Sequence, residues 1–390
     1  MTRRIWLAVG LAALGLTGAL SFKFFEPVFV HNAGWADLPP EQPARRETRD
    51  AVRAKQSAAA DAALKSGLKL TGAPALSAAL SVDGKLVWRG ATGLADVEAR
   101  VPATFETRFR LGSTSKAVTA IGVGRLIDQG RLTLEQPIAN FPHAVTLGQV
   151  MSHRAGIRDY GWCLCFPVWE HLNRRHFATV DAQAALVAES PLRFKPGTDF
   201  AYTSLGYNLA GVAIEKASGQ SFGDYMDRAV FQPLGMTRTS LSEVGAAKFY
   251  EAEHGRYKPA FRVDNSIRGP SGGIVSTPTD MAALGSAMLD NRLLSAGTRQ
   301  LLVTVPSTGR TDAGKIYAYG WRHSDWNLYD GKVSLDSYHH GGTAVGSTSI
   351  LVIFPANGIV LSLMMNKGGE DVDDLSIVAD GILEGFIPAP

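Results

Sequence analysis

The chain has 390 residues, a formal net charge of +3, 45% hydrophobic residues and 19% charged ones. That length and balance fit one folded unit with a sizeable core and exclude a fibrous, low-complexity or largely disordered chain. Lysines and arginines number 39 against 36 acids, with no basic run interleaved with aromatics, so a nucleic-acid-binding surface is excluded too.

Arg3 and Arg4 precede a charge-free apolar stretch from Ile5 to Phe22, which Lys23 closes. Basic residues ahead of such a stretch read as an export signal, and its length falls between that of a cleavable signal and that of a full transmembrane span. Thr17-Gly18-Ala19 is a poor small-residue cleavage site, so residues 1–31 are expected to be a signal peptide or signal anchor. The body would then be periplasmic or extracellular, with residues 5–22 holding it to the inner membrane. Residues 32–66 read as a polar, Pro-containing spacer and a weakly amphipathic leading helix from Glu47 to Lys65.

The catalytic body is expected over residues 67–390. Ala75 to Val82 and Lys85 to Ala91 flank Asp83-Gly84, two strand-like runs joined by hairpin turn chemistry. Ser347 to Phe354 and Ile359 to Met365 repeat the pattern near the other end, and Asp373 to Phe386 reads as a closing helix. Between them the pattern is mostly helical, with Thr146 and Thr277 as start signals and Gly130 and Gly219 as stops. The expectation is an α+β fold: an antiparallel sheet built from N- and C-terminal segments and flanked by helices, with an inserted, mostly helical subdomain and a cleft between the two. Cys163 and Cys165 are one residue apart, too close to staple distant segments and without the neighbours a zinc site requires. His339-His340 lacks companion ligands as well, and no metal or cofactor is expected.

Chemistry is concentrated at Phe109-Arg110-Leu111-Gly112-Ser113-Thr114-Ser115-Lys116, which leads into a helical pattern ending near Asp128. A serine at a helix start and a lysine three positions on share one face, and a hydroxyl becomes a nucleophile when a neutral amine takes its proton. Such an amine needs burial or positive potential to lose its own proton, so a lowered Lys116 pKa is expected. Two decoys are set aside. Ser66-Gly67-Leu68-Lys69 repeats the spacing but reads as a turn, and Gly269-Pro270-Ser271-Gly272-Gly273 matches a nucleophile elbow without the buried strand before it or the helix directly after.

Tyr202-Thr203-Ser204 and His340-Gly341-Gly342-Thr343 follow Ser113 in the order found in penicillin-recognising serine hydrolases. With them the chain resembles the serine β-lactamase and penicillin-binding protein superfamily, in its class C and esterase-like branch. Pro191 to Gly197, Phe200 to Tyr207 and Val263-Asp264-Asn265-Ser266 resemble the mitochondrial serine β-lactamase-like peptidase group most closely. The resemblance implies Ser113 as nucleophile, Lys116 as base and Tyr202 as a second proton carrier, with the backbone amides of Ser113 and Thr343 as oxyanion hole. It implies that Gly341 and Gly342 lie on an edge strand beside the serine, and that Ser204, His340, Tyr160 and Asn265 line the substrate cleft. Ser204 stands where many relatives place an asparagine, and His340 replaces the lysine of the usual Lys-Thr-Gly, which weakens any grip on a β-lactam carboxylate. The expected function is hydrolysis of peptides, amides or esters through an acyl-enzyme, with little β-lactamase activity; a catalytically vestigial scaffold is the alternative, and self-association fits either. His153 is expected to brace its loop.

Overall fold

The computed structural model describes residues 8–21, 34–40, 42–161, 169–307, 312–368 and 372–389. Its strands are β1 (Ala36–Asp37), β2 (Ala44–Thr48), β3 (Ala75–Val82), β4 (Lys85–Asp96), β5 (Val101–Pro102), β6 (Phe109–Arg110), β7 (Tyr250–Glu253), β8 (Arg256–Pro259), β9 (Val275–Ser276), β10 (Arg322–Leu328), β11 (Val333–Ala344), β12 (Ser347–Phe354) and β13 (Ile359–Met365). The helices used below are α1 (8–21), α2 (Ala54–Thr71), α3 (Ser115–Asp128), α4 (Leu147–Met151), α5 (Val180–Ala188), α6 (Ser204–Ser218), α7 (Phe222–Met226), α8 (Gly269–Gly272), α9 (Pro278–Ala287), α10 (Ala296–Val303), α11 (Asp312–Ile316) and α12 (Val372–Phe386).

The main sheet is antiparallel, in the order β10-β11-β12-β13-β3-β4-β2, so strands from the two chain ends meet where β13 pairs with β3. One face packs on α2 and α12 through Leu64, Leu68, Leu375, Val378 and Leu383; the other buries Phe109, Ile121, Leu351 and Val360 against the helical region. The central strands read as apolar runs because both faces are covered. Local signals agree with these bounds. Thr146 forms a capping box with Gln149 ahead of α4, Thr277 caps α9, and Gly219 ends α6 at φ 71°.

Two expectations are corrected. The stretch read as a spacer carries β1, which pairs with β8, and β2, which pairs with β4, and the leading helix starts at Ala54 and runs to Thr71. Short strands that add to a preformed edge carry little apolar pattern of their own. Ser66 to Lys69 lies inside α2 and is no turn; a Cβ on Gly67 would come within 2.5–2.6 Å of the Val378 methyls, so that glycine serves the α2–α12 contact. Residues 5–7, Phe22, Cys163 and Cys165 lie outside the described residues, and among the described ones no helix is long and apolar enough to cross a membrane.

Candidate active site

Gly112–Thr114 forms one 3₁₀ turn that feeds directly into α3, so Ser113 sits on the approach to the helix and half-buried. The turn is pinned from one side by β11. A Cβ on Gly342 would overlap the Leu111 carbonyl and come within 2.7 and 2.8 Å of the Thr114 and Ser113 amide nitrogens, and one on Gly112 (φ 52°) would come within 2.6 Å of the Thr343 carbonyl. Only glycines let strand and turn approach this closely. The Thr114 hydroxyl lies 3.2 Å from the His340 carbonyl and 2.8 Å from the Ser349 hydroxyl, fastening the turn to β11 and β12. Strand β11 is an edge for part of its length: β10 pairs with it from Val333 to His339 and, among the described residues, leaves 340–344 with no strand on that side. Gly341 and Thr343 lie on this free edge, Thr343 exposed.

Lys116, one turn on from Ser113, is fully buried. Its ammonium is placed to donate to Ser113 Oγ (3.2 Å), Ser204 Oγ (3.1 Å) and the Ser271 carbonyl (2.9 Å), partners from the serine turn, α6 and α8. None of the three is a carboxylate. Burial therefore dominates and lowers its pKa to about 7, with Asp159 opposing and Arg268 and Arg322 reinforcing the shift. The second decoy resolves here: Ser271 reaches the site through its backbone carbonyl while its hydroxyl is wholly buried.

Tyr202 precedes α6 in the segment capped by Thr203, and its ring centroid lies 4.7 Å from Lys116 Nζ. Its hydroxyl is enclosed and makes no well-aligned hydrogen bond. Burial drives its pKa above the ordinary phenol value, with Ser113 the first group acting the other way. His153 braces it: the His153 ring packs 4.1 Å from the Tyr202 ring, and Nδ1 accepts the Thr203 amide at 3.3 Å. His153 has φ 59°, unusual for a non-glycine residue, and its Nε2 has no hydrogen-bond partner among the described residues. Behind them the Tyr317 hydroxyl meets His340 Nε2 at 2.8 Å, while His340 Nδ1 faces the Gly341 carbonyl at 2.6 Å. A neutral imidazole protonated on Nδ1 satisfies both contacts. His340 is fully buried, and desolvation, Arg322 and Lys116 push its pKa well below the usual histidine range. Both ring nitrogens are thus engaged within the protein, one by Tyr317 and one by the Gly341 carbonyl.

Ser204 and Tyr160 join the centre. Burial raises the Tyr160 pKa to about 12, against the neighbouring Arg268 charge, and Ser204 acts on its hydroxyl. Asn265 makes no hydrogen bond to these groups among the described residues. Its amide nitrogen donates to Glu243 at 2.6 Å, and it lines a separate cavity of about 710 Å³ with Phe222 and Glu215. Glu243 holds Arg110 in a two-point pair at 2.8 Å, so the Asn265 amide nitrogen joins that network, while its Oδ1 is buried without a hydrogen-bond partner among the described residues. The sequence reading missed Asp159, whose carboxylate accepts the Ser204 amide (2.9 Å) and caps α6, and it missed Arg268, Arg322 and Tyr317. Only tertiary packing assembles these, although Asp159 is adjacent to the Tyr160 that was singled out.

Residues 60–380 match the Beta-lactamase family model. The serine beta-lactamase-like protein LACTB, mitochondrial, of Homo sapiens is 27% identical, covering 76% of this chain and 74% of that protein. Esterase EstB of Burkholderia gladioli is 30% identical over 52% of this chain and 55% of that protein. The octameric penicillin-binding protein homologue from Pyrococcus abyssi superposes with a TM-score of 0.69 at 24% identity, over 84% of this chain and 77% of that one.

If neutral Lys116 is the reactive form, modification of Ser113 by a fluorophosphonate should rise with pH through a midpoint near 7. Arg322→Gln removes a positive charge that favours the neutral amine, so the midpoint should move to higher pH; a measured pH–rate profile that stays in place would show that Arg322 does not tune the lysine.

Proposed function

Because the chain belongs to the beta-lactamase family, we propose that it is a serine hydrolase acting on peptide, amide or ester substrates through an acyl-enzyme on Ser113. The observation that carries the proposal is the buried Lys116 ammonium, held 3.2 Å from Ser113 Oγ without a carboxylate partner, its pKa lowered to about 7. At neutral pH a large fraction of it is free amine, whereas Tyr202, its pKa raised, stays a phenol. The lysine is then the base and the tyrosine the proton donor.

The steps balance on these groups. Lys116 takes the Ser113 proton as Oγ bonds to the scissile carbonyl carbon, and the amides of Ser113 and Thr343 receive the developing oxyanion. The proton passes through Tyr202 to the departing nitrogen or oxygen as its bond to carbon breaks. Water then attacks the ester, gives its proton back through the same pair, and releases the acid and free Ser113. The free edge at residues 340–344 supports binding of an extended substrate by strand-like hydrogen bonds.

Intact-mass analysis after incubation with a fluorophosphonate should show a single adduct on the wild type and none on Ser113→Ala, with Ser271→Ala labelled normally. Lys116→Arg, whose guanidinium stays protonated, should lose labelling by about 10²-fold or more. An adduct that persists in Ser113→Ala sinks the reading.

With His340 neutral and its ring bonded to Tyr317, the position lacks the permanent charge that would hold a β-lactam carboxylate. Nitrocefin should be hydrolysed with kcat/KM at least about 100-fold below that of a good ester; comparable values would overturn this part.

The Pyrococcus abyssi homologue is octameric, and we extend self-association to this chain as a proposal. Light scattering on protein starting near Ala33 should give a mass that is a multiple of the protomer; a monomer across the accessible concentration range would refute it.

A further inference from the structure

Beyond Thr343 the free edge of β11 opens into a cavity of about 680 Å³, lined by Thr343 to Gly346, the β7–β8 hairpin, Trp35, Phe261, His171 and Arg268. Arg268 is only 7% exposed, yet among the described residues it has no ion-pair partner. One amino group donates to the His171 carbonyl, the guanidinium lies 5.0 Å from the Tyr160 ring centroid, and Nε has no hydrogen-bond partner. The nearby acid that could have served is engaged, since Asp159 accepts the amides of Ser204 and Leu205. A guanidinium withdrawn from water without an anion is costly, and folds rarely keep one without a use for it.

The other charges on the cavity wall leave that demand standing. Glu251 lies 3.2 Å from the Lys258 amine, Glu253 is exposed on β7, and the Lys367 amine donates to the Thr71 carbonyl at 2.7 Å. His171 has its pKa lowered by burial and by Arg268, which keeps it neutral. Arg268 is also fixed in place: its stem packs against α8, where a Cβ on Gly272 would come within 3.1 Å of Arg268 Cδ.

The direction of the substrate follows from the proton donor. Tyr202 lies on the side of Tyr317 and His340, with 5.7 Å between the Tyr202 and Tyr317 ring centroids. The group that departs with a proton belongs on that side, so the acyl half points the other way, past Thr343. We propose that this cavity is the acyl pocket and that it selects acyl groups carrying a carboxylate, paired in the complex with Arg268. The proposal rests on the hydrolase reading for the sense of the substrate but not for the existence of the anion site.

The test compares the p-nitrophenyl half-esters of adipic and suberic acid with their methyl-capped counterparts. Wild type should favour the free carboxylate in kcat/KM by about 10-fold or more, the scale of a charge-assisted hydrogen bond in a dry site. Arg268→Gln should bring the ratio near one, and Arg268→Lys should restore part of it. Because Arg268 also acts on Lys116, the ratio within each variant is the readout, not the absolute rate. A wild-type ratio near or below one overturns the proposal even if every ester is hydrolysed. Calorimetry of adipic acid monoamide with Ser113→Ala keeps the two readings apart. Binding that weakens about 10-fold or more with Arg268→Gln, together with no ester turnover by wild type, would support the anion pocket and sink the hydrolase. Absence of both binding and turnover would sink both.

Discussion

An amine buried among neutral partners is the constraint on which the site depends. Lys116 is completely enclosed, and its hydrogen bonds end on two hydroxyls and a backbone carbonyl. Supplying an aspartate would have stabilised the ammonium and held its pKa up. The fold instead delivers three neutral acceptors from three separate elements, keeps Asp159 occupied with the start of α6, and adds the guanidinium fields of Arg268 and Arg322. Each of those choices costs stability for one protonation state, a common exchange at sites whose groups must titrate near neutrality.

The second requirement is proximity of backbone to backbone. The serine turn and β11 touch through Gly112 and Gly342, where any side chain would collide with peptide atoms. Because Thr114 also bonds to the His340 carbonyl and to Ser349, the turn is registered against two strands from the C-terminal half of the chain. The antiparallel pairing of β3 with β13 does the same at larger scale, closing a sheet whose halves are separated by the whole helical region. Strand and helix thus define the position of Ser113 relative to the free edge without help from a loop.

What the sequence made legible was local. Ser113 and Lys116 are a turn apart in one helix, the hairpin around Asp83-Gly84 is formed by neighbouring residues, and Thr277 and Gly219 mark helix ends by their own backbone preferences. Tyr202 and His340-Gly341-Gly342 needed a family resemblance, since nothing in their spacing relates them to Ser113. Arg268, Arg322 and Tyr317 were hidden because their roles depend on tertiary neighbours: two cations with no ion-pair partner among the described residues, and a phenol that claims the imidazole. The hydrogen bond that draws the Asn265 amide nitrogen into the Glu243–Arg110 network was hidden for the same reason. The strands β1 and β2 escaped notice because edges that already exist recruit chain with little regard to pattern.

The place where β10 stops has a consequence for the protein's behaviour in solution. An unpaired strand edge is an invitation to any other extended chain, and proteins ordinarily blunt such edges. Here the open stretch spans residues 340–344, roughly 17 Å at 3.4 Å per residue, and it lies in a cleft beside the α3 turn. That is too short a ladder to hold a foreign sheet together but long enough for a few residues of a passing peptide, so the interruption rations what can dock by β-pairing.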